Sequence, residues 1–283
     1  MMLNVRMLRV CGYIFALVLA VILIGNAGAQ TVPFEQLEHK TILLFTPHPD
    51  DDTFCCAGTL ALLAKRQNNI QIVLYTNDDK GSYDPDMTRE RLARIRQGEE
   101  EAACAKLGIP KANIHWLQFD DGMLEYADTR DLVEQVTKII RTVRPDVVMS
   151  IDPGSEYVRW HKTDHRMAAN NTIDAIRAAE FHLYFPNQLL HDGLQPWNVP
   201  MEVYYYVTPQ DANYSVNIDS VMDLKFEAAV SHVSQFPPSM KKYRSDWDPH
   251  DLEAIKQALS SMQTKKDGHF VEQFRIVSGI PQK

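Results

Sequence analysis

The stretch TILLFTPHPDDDTFCCAGTLALL, Thr41 to Leu63, combines a strand pattern, a polar loop and a helix pattern. Its first seven residues form a short apolar run, which is typical of a strand buried on both faces. A helix is predicted from about Thr53 to Gln67. The loop between them, residues 48–52, holds one histidine and three adjacent aspartates. Neighbouring carboxylates repel one another, so the loop predicts either an acidic turn that caps the helix or part of a metal site.

Strand and helix patterns alternate through the rest of the chain up to about Ala179. This alternation implies βαβ crossovers and therefore a parallel sheet. The predicted fold is a Rossmann-like, mostly parallel α/β sheet with helices on both faces, in a single domain. The further strand candidates are residues 70–77, 113–119, 146–151 and 201–208, and the further helix candidates are residues 87–109, 129–145, the segment after TDHR, and 219–236.

The N-terminus has the pattern of a secretory signal peptide. Arg6 and Arg9 precede an uncharged apolar run, and Ala27-Gly28-Ala29 provides a small-residue cleavage site. We therefore predict a signal peptide over residues 1–29, cleaved after Ala29, and one domain over residues 30–283 with its core at about 41–236. An uncleaved N-terminal membrane anchor is the alternative. After cleavage the protein is expected to be secreted or periplasmic, with no stable membrane insertion.

Charge and cysteine usage exclude some function classes. The formal net charge is −8, and removal of the signal peptide takes away two positive charges and no negative ones. Such an acidic protein lacks the lysine and arginine stripes that nucleic acids require, so no nucleic-acid partner is expected. Cys55, Cys56 and Cys104 remain after cleavage, and an odd number predicts no disulfide framework.

Two polar clusters follow predicted parallel strands and are expected at the same edge of the sheet. His48 and its aspartates follow the first strand, and WHKTDH (160–165) follows the fourth. Ligands bind at the carboxyl ends of strands in such sheets. Two imidazoles and one carboxylate form a common catalytic zinc set, which His48, Asp51 and His165 would supply. Asp50 or Asp52 would then remain as a general base.

Both motifs and the segments between them resemble the PIG-L/LmbE-like zinc-dependent deacetylases. PHPDDD is similar to the AHPDDE signature of that family, and TDHR is similar to its second motif, His-Pro-Asp-His. LARIRQGEEEAACAKLGI, FDDGML and DLKFEAAVSHVSQF resemble further family segments and occur in the same order. The resemblance extends from Thr41 to Phe236.

The resemblance implies a zinc ion held by His48, Asp51 and His165. Another divalent ion such as Fe²⁺ is an alternative, because this donor set accepts either. It also implies that Asp50 is the general base of a hydrolase acting on N-acetylglucosamine-type substrates. Asp164, next to a predicted ligand, is expected to orient an imidazole or to tune the base.

Three positions depart from the family pattern, and one of them, Pro47 in place of the usual small residue before His48, is expected only to stiffen the loop. Asp52 stands where the family has glutamate, and Lys162 stands where it has the first histidine of its second motif. That histidine is expected to stabilise the oxyanion, so either His161 or Lys162 takes this role, with His161 favoured. Arg96 and Trp160 are candidate substrate-binding residues, with a solvent-facing helix side and packing as their alternatives.

The sequence thus predicts an exported zinc enzyme that removes the acetyl group from an N-acetylglucosamine-type sugar or glycoconjugate. Its partner would be a small molecule or an oligosaccharide that bears N-acetyl groups. Two alternatives are a catalytically impaired carbohydrate-binding relative and a zinc amidase that cleaves a non-acetyl amide. The sequence leaves the sugar and the oligomeric state open.

Overall fold

The computed structural model describes residues 32–154 and 163–278. A first unit ends at Phe34, and a second unit, Glu35–Lys283, contains the strands and helices named here. The strands are β1 (Thr41–Thr46), β2 (Asn69–Thr76), β3 (Ile114–Phe119), β4 (Val147–Ile151), β5 (Met201–Tyr205), β6 (Tyr214–Asn217), β7 (Lys265–Lys266) and β8 (His269–Ser278). The helices are α1 (Asp51–Lys65), α2 (Arg89–Lys106), α3 (Thr129–Val143), α4 (Thr163–Glu180), α5 (Pro186–Leu190), α6 (Met222–Ala229) and α7 (Pro249–Met262).

One mostly parallel sheet forms the centre of the second unit. Its strand order is β3-β2-β1-β4-β5-β8-β6, with β7 paired to β8. Strands β1 to β5 run parallel, whereas β8 pairs antiparallel with β5, β6 and β7. The predicted α/β fold is therefore confirmed. Across residues 32–154 and 163–278, no helix has the length and apolar character needed to cross a membrane.

Two helix groups cover the sheet because the central strands are apolar on both faces. Leu43 and Phe45 of β1 belong to a core cluster with residues of α3 and α4, such as Val136 and Ala175. Alternate side chains of a strand point to opposite faces, so buried Leu44 lies on the other face. Helices α1 and α2 pack with α6, while α3 packs with α4.

The strand order positions the functional site. The chain proceeds from β1 outward to β2 and β3, and then returns to place β4 on the other side of β1. The loops after β1 and β4 therefore diverge at a topological switch point, where ligands bind in open α/β sheets.

The predicted helix over residues 219–236 is wrong in extent. Helix α6 spans only Met222–Ala229, with short 3₁₀ turns on either side. The chain leaves the helix after Ala229 and brings the fully buried His232 to within 3.3 Å of Thr53 Oγ1. The helical pattern of the sequence continues to residue 236, but burial of His232 against α1 favours an earlier end of the helix.

An ion pair from the C-terminal half of the chain contacts the backbone of α1. Lys225 Nζ donates to the Phe54 carbonyl oxygen (2.8 Å) and to Glu272 Oε1 (2.6 Å). Glu272 in turn accepts from the backbone N–H groups of Gly58 (2.9 Å) and Thr59 (2.7 Å). The buried carboxylate is thus neutralised and hydrogen-bonded, and it ties β8 to α1.

Gly58 is required by close packing, and its replacement by alanine is expected to destabilise the protein. A Cβ at this position would lie 2.7 Å from Cγ2 of the fully buried Ile218. Overpacking of this kind costs about 1–3 kcal/mol. Gly98 in α2 is the matched control, because a Cβ there meets nothing within 4 Å. Gly98→Ala should stabilise the helix by up to about 1 kcal/mol. Urea denaturation of both variants checks this, and equal midpoints would contradict it.

Candidate metal and catalytic site

Backbone contacts with β2 fix the loop that follows β1. The Pro47 carbonyl oxygen accepts from the Thr76 backbone N–H (3.0 Å) and from Thr76 Oγ1 (2.8 Å). Thr46 Oγ1 donates to the His48 carbonyl oxygen at 3.2 Å. Prolines on both sides of His48 restrict its backbone further. The histidine is therefore held at the carboxyl end of the sheet.

His48, Asp51 and His165 form a buried cluster with metal-ligand geometry. Asp51 Oδ2 lies 3.1 Å from His48 Nδ1 and 3.4 Å from His165 Nε2. One donor atom from each residue lies within 4.8 Å of the other two. Tetrahedral zinc with bonds of about 2.0–2.1 Å would separate adjacent donors by about 3.3 Å. The two distances and the chemistry of the donor set fit a divalent transition metal.

The other nitrogen of His48 contacts two carboxylates. His48 Nε2 lies 3.1 Å from Asp164 Oδ2 and 3.4 Å from Asp121 Oδ1. Burial alone would lower the pKa of His48, but its hydrogen bonds to Asp121, Asp164 and Asp51 raise that pKa well above the usual value. A proton on Nε2 that bonds to Asp164 leaves the Nδ1 lone pair for a metal, and metal-binding histidines often have such a carboxylate partner.

Backbone donors hold Asp164 against His48. Asp164 Oδ2 accepts from the Gly122 N–H at 2.6 Å, and Oδ1 accepts from the Leu124 N–H at 3.0 Å. Gly122 has a φ of +70°, a conformation that favours glycine. Burial would raise the pKa of Asp164, but the bonds from His48, Leu124 and Gly122 lower it. The carboxylate therefore stays ionised and orients the imidazole.

Asp50 and Asp52 lie in different environments, which bears on the choice of base. Asp50 precedes α1 with a φ of 120°, a conformation that is rare for a residue with a side chain. It is partly exposed, whereas Asp52 is fully buried. A residue that exchanges a proton with substrate must reach it, so the structure favours Asp50 over Asp52.

Tyr206 is a candidate site residue that the sequence reasoning missed. It follows β5, the neighbour of β4, and its hydroxyl donates to Asp51 Oδ1 at 2.8 Å. Its ring centroid lies 5.5 Å from that of His165. Burial and the nearby Asp51 carboxylate raise the pKa of Tyr206, so the phenol keeps its proton and donates. The position after β5 at the same sheet edge was the available signal.

We expect Tyr206→Phe to weaken metal binding by about 10–100-fold, because Asp51 loses the partner that orients its second oxygen. The ring, and hence its packing on His165, is retained. Competition with a chromophoric chelator measures the affinity. Tyr205→Phe is the control, since Tyr205 donates to the Phe45 carbonyl oxygen at 2.9 Å within the sheet. Equal affinities for wild type and Tyr206→Phe would contradict the assignment.

A second buried acidic cluster contains Asp52, the residue that follows Asp51. Donor atoms of Asp52, Glu100 and Cys104 lie within 4.8 Å of one another, and all three residues are fully buried. Cys104 Sγ donates to Glu100 Oε1 at 3.3 Å, and His232 Nε2 lies 3.8 Å from Glu100 Oε2. Burial raises the pKa of Asp52 to about 7 and, together with the Asp52 charge, raises that of Glu100. Burial also lowers the pKa of His232 to about 3, so this imidazole supplies no compensating charge.

Glu100 makes stability depend on pH. Because its pKa is raised in the folded state, the folded chain holds a proton that the unfolded chain releases near the ordinary glutamate pKa of about 4.3. The free energy of unfolding should therefore fall as pH rises from about 5 to 8. Glu100→Gln removes the charge, so the free energy of unfolding of this variant should depend less on pH. At pH 8 it should exceed that of wild type by more than about 1 kcal/mol.

Urea denaturation at about pH 5 and pH 8 with constant metal measures this effect. Glu101→Gln is the control, since Glu101 pairs with the exposed Lys111 at 2.8 Å. Identical pH dependences for wild type and Glu100→Gln would contradict the role of Glu100.

Arg96 is buried and contacts the loop after β2. Its guanidinium donates to the Asp78 carbonyl oxygen (2.8 Å) and the Gly81 carbonyl oxygen (2.7 Å), and it pairs with Asp78 Oδ1 at 2.8 Å. These contacts are to the loop after β2, so the structure favours loop support over the predicted contact with substrate. Trp160, His161 and Lys162 lie outside the described residues.

Comparisons with known proteins identify the family. The family model for "GlcNAc-PI de-N-acetylase" (PIG-L) matches residues 43–176. The diacetylchitobiose deacetylase of Thermococcus kodakarensis is 31% identical over 249 residues, which are 88% of this chain and 86% of that protein. This chain belongs to the PIG-L family. The predicted membership in a family of metal-dependent N-deacetylases is confirmed.

Other PIG-L relatives agree over most of the chain. The N,N'-diacetylchitobiose deacetylase structure from Pyrococcus horikoshii has a TM-score of 0.71 and 31% identity, and covers 89% of this chain and 88% of that one. A "Probable N-acetyl-alpha-D-glucosaminyl L-malate deacetylase 2" of Bacillus anthracis is 26% identical, over 77% of this chain and 91% of that protein. The fold and the order of the motifs are therefore those of PIG-L proteins.

Proposed function

We propose that this protein is an exported, zinc-dependent hydrolase that removes the acetyl group from an N-acetylglucosamine-type sugar or glycoconjugate. The observation that carries the proposal is the convergence of His48 Nδ1, Asp51 Oδ2 and His165 Nε2 beside Asp50 at the carboxyl end of β1. The relatives support the substrate class, because their names specify acetylated glucosamine derivatives.

In this proposal His48, Asp51 and His165 hold the metal. A divalent ion there supplies Lewis acidity and makes water easier to deprotonate at neutral pH. Asp164 keeps the His48 ring in place, and Tyr206 does the same for the Asp51 carboxylate. His48 and Asp51 thus have a fixed orientation before substrate arrives, which reduces the reorganisation needed for catalysis.

The proton transfers are assigned to Asp50. Its carboxylate accepts a proton from water as the oxygen adds to the acetamide carbonyl carbon. It then returns that proton to the amine nitrogen as the C–N bond breaks, which releases acetate and the free amine. We assign stabilisation of the oxyanion to His161, with Lys162 as the alternative cation.

Export is part of the proposal and rests on the N-terminal sequence. Arg6, Arg9, the apolar run and Ala27-Gly28-Ala29 lie outside the described residues. An exported enzyme would meet cell-envelope polysaccharides, chito-oligosaccharides or glycosylated metabolites. Expression of the full chain followed by N-terminal sequencing of the secreted product tests this, and a product that retains Met1 would contradict cleavage after Ala29.

Acetate release tests the reaction. The purified protein is assayed with N-acetylglucosamine, its dimer and trimer, and a matched N-propionyl sugar, before and after chelation. We expect acetate release that stops on chelation and returns with Zn²⁺ more fully than with Fe²⁺. Metal at one ion per chain without acetate release would favour the carbohydrate-binding alternative. Cleavage of the propionyl amide alone would favour the non-acetyl amidase.

A further inference from the structure

A cavity of about 420 Å³ lies between the N-terminal half of α2 and the carboxyl ends of β2 and β3. Ala93 and Gln97 line it from the helix, and Trp116 and Gln118 line it from β3. Its volume lies in the range of small-molecule sites. The proposed chemistry uses none of these residues.

Two residues that line the cavity are chain neighbours of residues close to His48 in the candidate catalytic site. Asp79 and Asp120 line the cavity, while their chain neighbours Asp78 and Asp121 have carboxylate oxygens within 4.8 Å of a His48 nitrogen. In each of the pairs Asp78-Asp79 and Asp120-Asp121, one residue therefore lies beside His48 and the other lines the cavity. A substrate longer than one unit that reacts beside His48 can extend toward the cavity.

Three of the five charged groups of the cavity wall form ion pairs with one another. Arg89 lies 2.6 Å from Asp79 and 2.9 Å from Asp120. The two remaining charged residues, Glu90 and Arg94, have opposite signs and lie four positions apart on α2. The wall carries three carboxylates and two guanidinium groups and so has one excess negative charge, which disfavours an anionic ligand such as a phosphate.

The remaining wall groups match a neutral ligand that is rich in hydroxyl groups. The indole of Trp116 offers an apolar face for the C–H face of a sugar ring, and Gln97 and Gln118 offer amides to hydroxyls.

We infer that this cavity is an accessory subsite for a second, non-reacting sugar unit of an N-acetylated oligosaccharide. The inference rests on the proposed function and deepens it, because it assigns an oligosaccharide rather than a monosaccharide as the substrate. Trp116 and Gln97 act as specificity-determining residues that hold this second unit and take no part in the chemical step.

Steady-state kinetics of the metal-loaded enzyme test the inference. N-acetylglucosamine, its dimer and its trimer are compared with wild type, Trp116→Ala, Trp116→Phe and Gln97→Ala. Trp116→Ala and Gln97→Ala should raise KM for the dimer or the trimer by about tenfold and leave kcat and the monomer KM unchanged. Trp116→Phe keeps an aromatic face and should change KM by about twofold at most. Equal effects on monomer and oligomers, or no effect, would overturn the inference.

A control variant and a binding measurement separate this inference from the proposed function. His115→Ala changes the adjacent β3 residue, which contacts Gln71 at 2.9 Å and does not line the cavity, so it should leave KM unchanged. Calorimetry measures dimer binding to Asp50→Asn and to Asp50→Asn with Trp116→Ala, without turnover. Weaker binding by about tenfold in the double variant supports the subsite even if wild type releases no acetate. Equal binding overturns it even if wild type is an active deacetylase.

Discussion

Asp50→Asn is expected to lower kcat for acetate release by about 10²–10⁴-fold, the usual contribution of a general base. The asparagine amide keeps the size of the carboxylate but cannot accept a proton from water at neutral pH. Asp50 is not among the three clustered ligands, so bound metal should remain near one ion per chain. Kinetics and elemental analysis of the same preparation measure both quantities.

Asp52→Asn is the matched control for this result. It changes a carboxylate in the same turn, but Asp52 is fully buried and lies beside Glu100. We expect it to alter stability and its pH dependence more than kcat, because its oxygens do not reach a substrate. Loss of kcat in Asp52→Asn with retention in Asp50→Asn would reverse the assignment of the base.

His165→Ala is expected to remove both the metal and the activity. One of the three proposed protein ligands would be lost, and this effect should exceed the roughly 10–100-fold cost of losing a residue that merely orients a ligand. Zinc should raise the thermal midpoint of the wild type, since an ion that binds only the folded state stabilises it. The variant should show no such increase.

His115→Ala is the control for the loss of a histidine. His115 lies on β3 and contacts Gln71, away from the three clustered ligands. The His115→Ala variant should keep its metal, its zinc-dependent thermal shift and its activity. Stoichiometric zinc in His165→Ala would contradict the ligand set.

The sequence predicted the parts of the site that depend on strand order. His48 and His165 are far apart in the chain, but each follows a strand of an alternating α/β pattern, and those strands prove to be neighbours. Their ring centroids lie 5.3 Å apart. The strand order alone brings the two histidines together, so hydrophobic periodicity and loop composition were enough to predict their proximity.

Contacts that depend on side-chain packing could not be predicted in this way. Tyr206 reaches Asp51 only because its backbone turns to a φ of 56° directly after β5. Glu100 occupies a helix position that reads as charged and solvent-facing, yet it is fully buried beside Asp52. Strands β6 to β8 and helix α7 carry weaker patterns and were not predicted, so the antiparallel edge of the sheet was unexpected.

The ion pair that joins β8 to α1 has a consequence for biosynthesis. Glu272 bonds to backbone groups of α1 that precede it by 214 residues. During synthesis, residues 48–52 and α1 emerge from the ribosome long before β8, so the Glu272 contact with Gly58 and Thr59 forms only after the last strand has been made. We therefore expect a chain released before β8 to hold zinc poorly. Zinc retained at full stoichiometry by a chain ending at Lys266 would contradict this order of events.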